Sequence, residues 1–146
     1  MNFSKVKLQQ VQEKNFKYNS KIIKTPVDIV NYINSIEEME KLTEEVTILI
    51  ILNTKNQIIS YSEIAQGGAN YCTVDIKSIF KRVLLCNGTK FILVHNHPSG
   101  IADASQKDKS ITKKIQEASK LMDIEFVDHI VIGANEYKSC FYEHQK

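Results

Sequence analysis

Two apolar runs rich in β-branched residues constrain this chain most: VTILIIL at residues 46–52 and FILVH at 91–95. Neither alternates with polar residues, and each is about one strand long. Such runs suit strands covered on both faces. A sheet of that kind needs helices on it, and the intervening sequence supplies them. Thr25 can cap a helix, Pro26 suits its first position, and Asp28 favours its first turn. Ile29, Ile33 and Ile36 follow at helical spacing. Ile76, Ile79, Phe80, Val83 and Leu84 mark a second amphipathic helix, stopped at Asn87-Gly88. Ser105 opens a third, with Ile111, Ile115, Ala118 and Met122 as its apolar stripe.

Further strands are expected at residues 57–66, at 124–133 and, as a short edge, within 137–142. The first of these follows a turn at Asn53-Thr54-Lys55-Asn56, forms a hairpin with residues 46–52, and ends at Gly67-Gly68. The expected fold is a mixed sheet flanked by helices, an α/β (α+β) domain over residues 25–146. Residues 1–24, polar and lysine-rich, read as an N-terminal arm.

Several classes are excluded by what remains. Cys72, Cys86 and Cys140 are far apart and form no C-x-x-C pair, against a cysteine zinc site or a disulfide scaffold. No apolar run reaches membrane-spanning length, and residues 1–21 lack a signal-peptide core, so a cytoplasmic protein without membrane contact is expected. The net charge of +2 permits an acidic partner without demanding one.

The chemistry-bearing residues cluster where the second apolar run ends. His95 and His97 are two apart on an extended chain, so their side chains share one side. Pro98 and Gly100 then turn the chain, and Asp108 lies in the first turn of the third helix. A strand end and a helix start can thus converge two imidazoles and one carboxylate on a metal. That set, with a fourth position open to water, is a catalytic zinc arrangement. Ser105-Gln106-Lys107-Asp108 also satisfies the capping-box pattern, which needs no metal. His129, on an apolar strand, reads as a core histidine rather than a ligand, and His144 as a solvated tail residue.

His95-Asn96-His97-Pro98-Ser99-Gly100 followed by Ser105-x-x-Asp108 resembles the JAMM (MPN+, JAB) zinc metalloprotease motif, and more narrowly its RadC-like branch. The resemblance extends over most of residues 45–143. It takes in Gly67-Gly68, Ile79-Phe80, Thr112, Asp128-His129-Ile130, Tyr137 and Ser139. It implies a JAB/MPN-like, cytidine-deaminase-like layered fold and a zinc ion on His95, His97 and Asp108. It also implies a glutamate just before the first buried strand as general base and acid. Glu45 fits that place, and Glu44 is the alternative, pointing the other way on an extended strand. Ser105 matches the serine that helps hold the oxyanion. The implied reaction is hydrolysis of an amide by zinc-activated water, with Glu45 relaying the proton to the leaving amine. A peptide or protein substrate is the expected partner.

The chain departs from the family pattern at Thr47, where an aromatic is usual, at Lys77 in place of Arg, and at Cys140 in place of Phe. None is a metal ligand. Longer RadC proteins carry an N-terminal helix-hairpin-helix region, and no Gly-rich hairpin precedes residue 45 here. Three other readings compete. A DNA-repair-associated factor would use the lysines at 107, 109, 113, 114 and 120 on the third helix and Lys77, Lys81 and Arg82 on the second, but Asp103, Glu117 and Asp123 dilute the first cluster and no stacking motif accompanies it. A zinc deaminase would need H-x-E and P-C-x-x-C. A metal-free MPN module would have lost the ligands that this chain keeps. No sequence feature sets an oligomeric state.

Overall fold

The structure is a computed structural model that describes residue 5 and residues 22–67 and 74–141. Most of the N-terminal arm, and Gly68, Cys72, Tyr142 and His144, lie outside the described residues. In chain order come α1 (Pro26–Ile36), a 3-10 turn (Met39–Lys41), β1 (Glu45–Leu52), β2 (Ile58–Gly67), α2 (Ile76–Leu85), β3 (Lys90–Asn96), α3 (Gln106–Met122), β4 (Glu125–Ile132) and β5 (Tyr137–Ser139). The strands form one sheet in the order β2-β1-β3-β4-β5. β1 runs antiparallel to both β2 and β3, β3 is parallel to β4, and β4 is antiparallel to β5. The parallel pair needs a crossover, and α3 provides it.

Strand alternation splits the core into two layers. Ile48, Ile50 and Leu52 of β1, Ile92 and Val94 of β3, and Ile130 and Ile132 of β4 pack against Ile29 and Ile33 of α1 and against Met39. Leu49, Ile51, Phe91 and Leu93 face the other way, onto Ile79, Phe80 and Val83 of α2 and Ile115 of α3. The continuous apolar runs follow from this: β1 and β3 lie in the middle of the sheet with helices on both faces. Among the described residues, Phe91, Leu49, Ile50, Ile51, Ile92 and Leu93 are large apolar side chains less than 2% exposed. At about 1.5–3 kcal/mol for each buried Leu, Ile or Phe, they make a core that needs no metal to fold. Among the described residues, no helix is long and apolar enough to cross a membrane.

The helices begin and end as their sequences require, with one difference from the sequence reading. Thr25 caps α1 in a full capping box with Asp28. α2 stops before Asn87-Gly88, with Asn87 left-handed (φ 52°). Gly88 answers a different need: a Cβ there would lie 2.2 Å from Ile51 Cγ2. The difference concerns faces. Leu84 and Met122, expected inside, are 53% and 43% exposed. α3 buries Asp108, Thr112, Ile115 and Ser119 instead, a ridge at i, i+4, i+7 and i+11. Ile111 and Ala118 flank that ridge, partly buried. The polar upper half of the ridge faces the end of β3, where the histidines are.

The loop after β3 is held by backbone contacts. His97 N–H donates to Ile132 O (2.8 Å), Gly100 N–H to His97 O (2.9 Å) and Ala134 N–H to Gly100 O (2.8 Å). Gly133 lets the loop lie this close, since a Cβ there would stand 2.4 Å from Gly100 O and 2.9 Å from Ala102 N. Both neighbours are backbone atoms and cannot swing aside. Gly133→Ala is therefore expected to lower stability by about 1–3 kcal/mol in denaturant unfolding. An unchanged unfolding midpoint would mean that the loop is not packed on Gly133.

Candidate metal centre

The site forms where β3 ends beside the start of α3. β3 carries His95 on the face that α3 covers, and His97 follows just past the strand end. Ser105 caps α3: its Oγ accepts Asp108 N–H (3.1 Å), and Asp108 Oδ2 accepts Ser105 N–H (2.7 Å). The same carboxylate faces both imidazoles. His95 Nε2 lies 3.3 Å from Asp108 Oδ1, His97 Nε2 lies 3.4 Å from Asp108 Oδ2, and the two Nε2 atoms are 3.0 Å apart. The cap and the three-residue cluster thus coexist on one side chain.

These distances fit a small tetrahedral cation. Ligand atoms about 2.0–2.1 Å from such an ion stand about 3.3 Å from one another. One atom from each of His95, His97 and Asp108 lies within 4.8 Å of the others. The hydrogen bonding fits as well. His97 Nδ1 is 2.8 Å from Ile101 O, a carbonyl that can only accept. Nδ1 therefore carries the proton in the neutral ring, and the Nε2 lone pair faces Asp108. His95 is 2% exposed and Asp108 9%, while His97 is half-buried.

The electrostatics describe the same cluster. Burial pushes the Asp108 carboxyl up, but its close side-chain contacts with His95 and His97 outweigh it and hold the group well below the usual carboxylate range. The same contact with Asp108 raises His97 above its ordinary value against the opposing effect of burial. His129, wholly buried, is pushed down to about 3 by desolvation and by its neighbour His95. Burial raises Asp128, on the opposite face of the sheet, although Ser139 Oγ (2.6 Å) and His129 N–H (2.7 Å) both donate to it.

Sheet register places the two candidate acids. Thr47 pairs with His95, and Glu45, two residues earlier, shares the face of Thr47. Glu45 lies close enough to His97 for its negative charge to help raise the His97 pKa. Glu44 points elsewhere, its Oε2 accepting from Gln66 Nε2 (2.9 Å). Asn96, which sequence reasoning passed over, grips the backbone on both sides of Glu45. Its Oδ1 accepts Val46 N–H (2.8 Å), and its Nδ2 donates to Glu44 O (3.0 Å). The middle residue of His95-Asn96-His97 thereby ties the start of β1 to the end of β3. Thr112 and His129, also passed over as site residues, lie directly behind His95.

Comparison with known proteins gives a family match. Residues 23–146 match the family model described as a RadC-like JAB domain. A UPF0758 protein of Legionella pneumophila (strain Corby) is 46% identical over 96 residues, covering 66% of this chain and 42% of that protein. A UPF0758 protein of Clostridium perfringens (strain ATCC 13124) is 39% identical over 117 residues, covering 80% of this chain and 51% of that protein. The chain thus spans about half the length, or less, of the curated relatives it matches.

One divalent ion per chain is expected on metal loading, with loss of that ion in His95→Ala and His97→Ala. Asp108→Asn separates the two roles of Asp108. The asparagine amide oxygen can still accept Ser105 N–H but lacks the charge, so unfolding should shift by less than about 1 kcal/mol while metal is lost. Metal content by elemental analysis, read beside thermal unfolding, checks both. Full metal occupancy in Asp108→Asn would remove the carboxylate from the ligand set.

Proposed function

The chain belongs to the RadC-like JAB domain family, and we propose that it is a zinc-dependent hydrolase of JAMM type that cleaves an amide bond in a peptide or protein. The observation that carries this reading is the convergence of His95, His97 and Asp108, with Glu45 on the same face. Two histidines and one carboxylate leave a fourth tetrahedral position for water and suit a catalytic zinc ion. When bound, zinc supplies a Lewis acid that polarises the amide carbonyl and makes water nucleophilic near neutral pH.

The protein's own groups do the rest. His95, His97 and Asp108 hold the ion. Glu45, close to His97, takes a proton from the attacking water and returns it to the departing nitrogen. The bond that forms joins the water oxygen to the carbonyl carbon, and the bond that breaks is carbon to nitrogen. Ser105 Oγ accepts Asp108 N–H, and its own hydrogen can turn to the developing oxyanion. Asn96 keeps Glu45 close to His97 through the backbone on either side of it. The activity is proposed for this domain, since the relatives extend well beyond it.

The test is cleavage of a peptide library by the zinc-loaded chain, followed by mass spectrometry. Glu45→Gln is expected to keep zinc and lose activity by on the order of 10²- to 10⁴-fold. Glu44→Gln should be near wild type. The reverse pattern would assign the proton transfer to the wrong acid, and cleavage that survives zinc removal would contradict the proposal.

Ser105 offers a second check. Ser105→Asp preserves a capping group but removes the hydroxyl proton and adds charge beside the oxyanion. It should unfold like wild type, keep zinc, and hydrolyse on the order of a hundredfold more slowly. Wild-type turnover in that variant would reduce Ser105 to a cap.

A further inference from the structure

His129 is a buried histidine on β4 that the proposed reaction does not use. It pairs with Leu93 in the parallel register, one step diagonal from His95 on the same face of the sheet. Its Nε2 lies 2.8 Å from His95 Nδ1, and its Nδ1 lies 2.6 Å from Thr112 Oγ1. Thr112 Oγ1 in turn lies 2.6 Å from the backbone carbonyl oxygen of Asp108.

The direction of every hydrogen in this chain follows from its last member. A carbonyl oxygen only accepts, so the single Thr112 hydroxyl hydrogen points at Asp108 O. Thr112 Oγ1 must then accept from His129 Nδ1–H. Neither His129 nitrogen has a carboxylate against it, and the neutral ring has one N–H, so Nε2 bears a lone pair. His95 Nδ1 faces that lone pair and must be the donor. The remaining lone pair of His95 is on Nε2, the atom directed at His97 and Asp108.

We propose that His129 is a positioning residue: oriented by Thr112, it accepts the Nδ1–H of His95 and so keeps the Nε2 lone pair of His95 turned to the metal. This rests on the metal reading given above. The device differs from the one at His97, whose Nδ1–H meets a backbone carbonyl. At His95 the acceptor is a second imidazole, which can itself present either a lone pair or an N–H. Thr112 removes that ambiguity, because its hydrogen is already committed to the first turn of α3. The helix that brings Asp108 to the site thereby also fixes the tautomer of a ligand on β3.

The tautomers can be read directly from long-range proton–nitrogen NMR spectra of the full chain at neutral pH, before any metal is added. His95 and His129 are both expected as Nδ1–H tautomers. Zinc affinity, measured by chelator competition, is expected to fall about 10- to 100-fold in His129→Phe, which fills the space without an acceptor. His129→Gln should recover most of that loss, because its amide oxygen can accept from His95. Thr112→Val should lower affinity less than His129→Phe and release the His129 tautomer, so that His129 no longer shows Nδ1–H alone. A folded His129→Phe protein with wild-type zinc affinity overturns the proposal. If that variant does not fold, the wild-type tautomers and Thr112→Val decide. Zinc uptake by a wild-type chain whose His129 is the Nε2–H tautomer overturns this proposal and leaves the metal reading standing. Absence of zinc uptake by the wild-type chain overturns the metal reading, and this proposal with it.

Discussion

Two imidazole nitrogens 3.0 Å apart, both facing one carboxylate, form the contact around which the rest of this molecule is arranged. Nitrogens that close need a proton or a metal cation between them. The surrounding structure holds them there. β3 supplies one histidine from the sheet and the other from the loop just beyond it. Gly133 allows that loop to pack against the backbone after β4. The capping box of α3 fixes the carboxylate to its own helix terminus. Each restraint comes from backbone geometry that exists without a metal, and the apolar core on both faces of the sheet supplies the stability.

Asp108 shows how one side chain meets two demands. Its Oδ2 accepts the Ser105 N–H that a helix start leaves without a partner, and both its oxygens face imidazoles. In the sequence, capping and metal ligation look like rival explanations of the same Ser-x-x-Asp spacing. In the structure they are complementary, because a carboxylate has more acceptor positions than either role uses. Capping also fixes the rotamer of the acid, which lowers the entropy lost on binding an ion.

Much of this was legible in the residues, and what was not has identifiable physical causes. The strands at residues 46–52 and 91–95 declared themselves because a run without polar interruption needs cover on both faces. The strand spacing of His95 and His97 and the cap at Ser105 are local features, and local features survive in a one-dimensional reading. Glu45 and Glu44 differ only by strand parity, which can be read once β1 is paired with β3. The roles of Asn96, Thr112 and His129 are not local. Asn96 acts across 50 residues on the backbone beside Glu45, and His129 meets His95 across 34. That meeting depends on the parallel register of β3 and β4, which shifts between Phe91 and Ile92, a detail no hydrophobic pattern encodes. The outward turn of Met122 has the same origin: the apolar stripe of α3 suggested one buried face, but the helix rotates to bring Asp108 and Thr112 inward.

X-ray absorption at the zinc edge, on the zinc-loaded chain, tests the central claim most directly. The account predicts a first shell of nitrogen and oxygen only, at about 2.0–2.1 Å, with the multiple-scattering signature of two imidazoles. The imidazole signature should fall by one ring in His95→Ala or His97→Ala if any zinc is retained. A sulfur shell near about 2.3 Å would place the ion on a cysteine. That result, or a first shell without imidazole, would contradict a metal centre built from His95, His97 and Asp108.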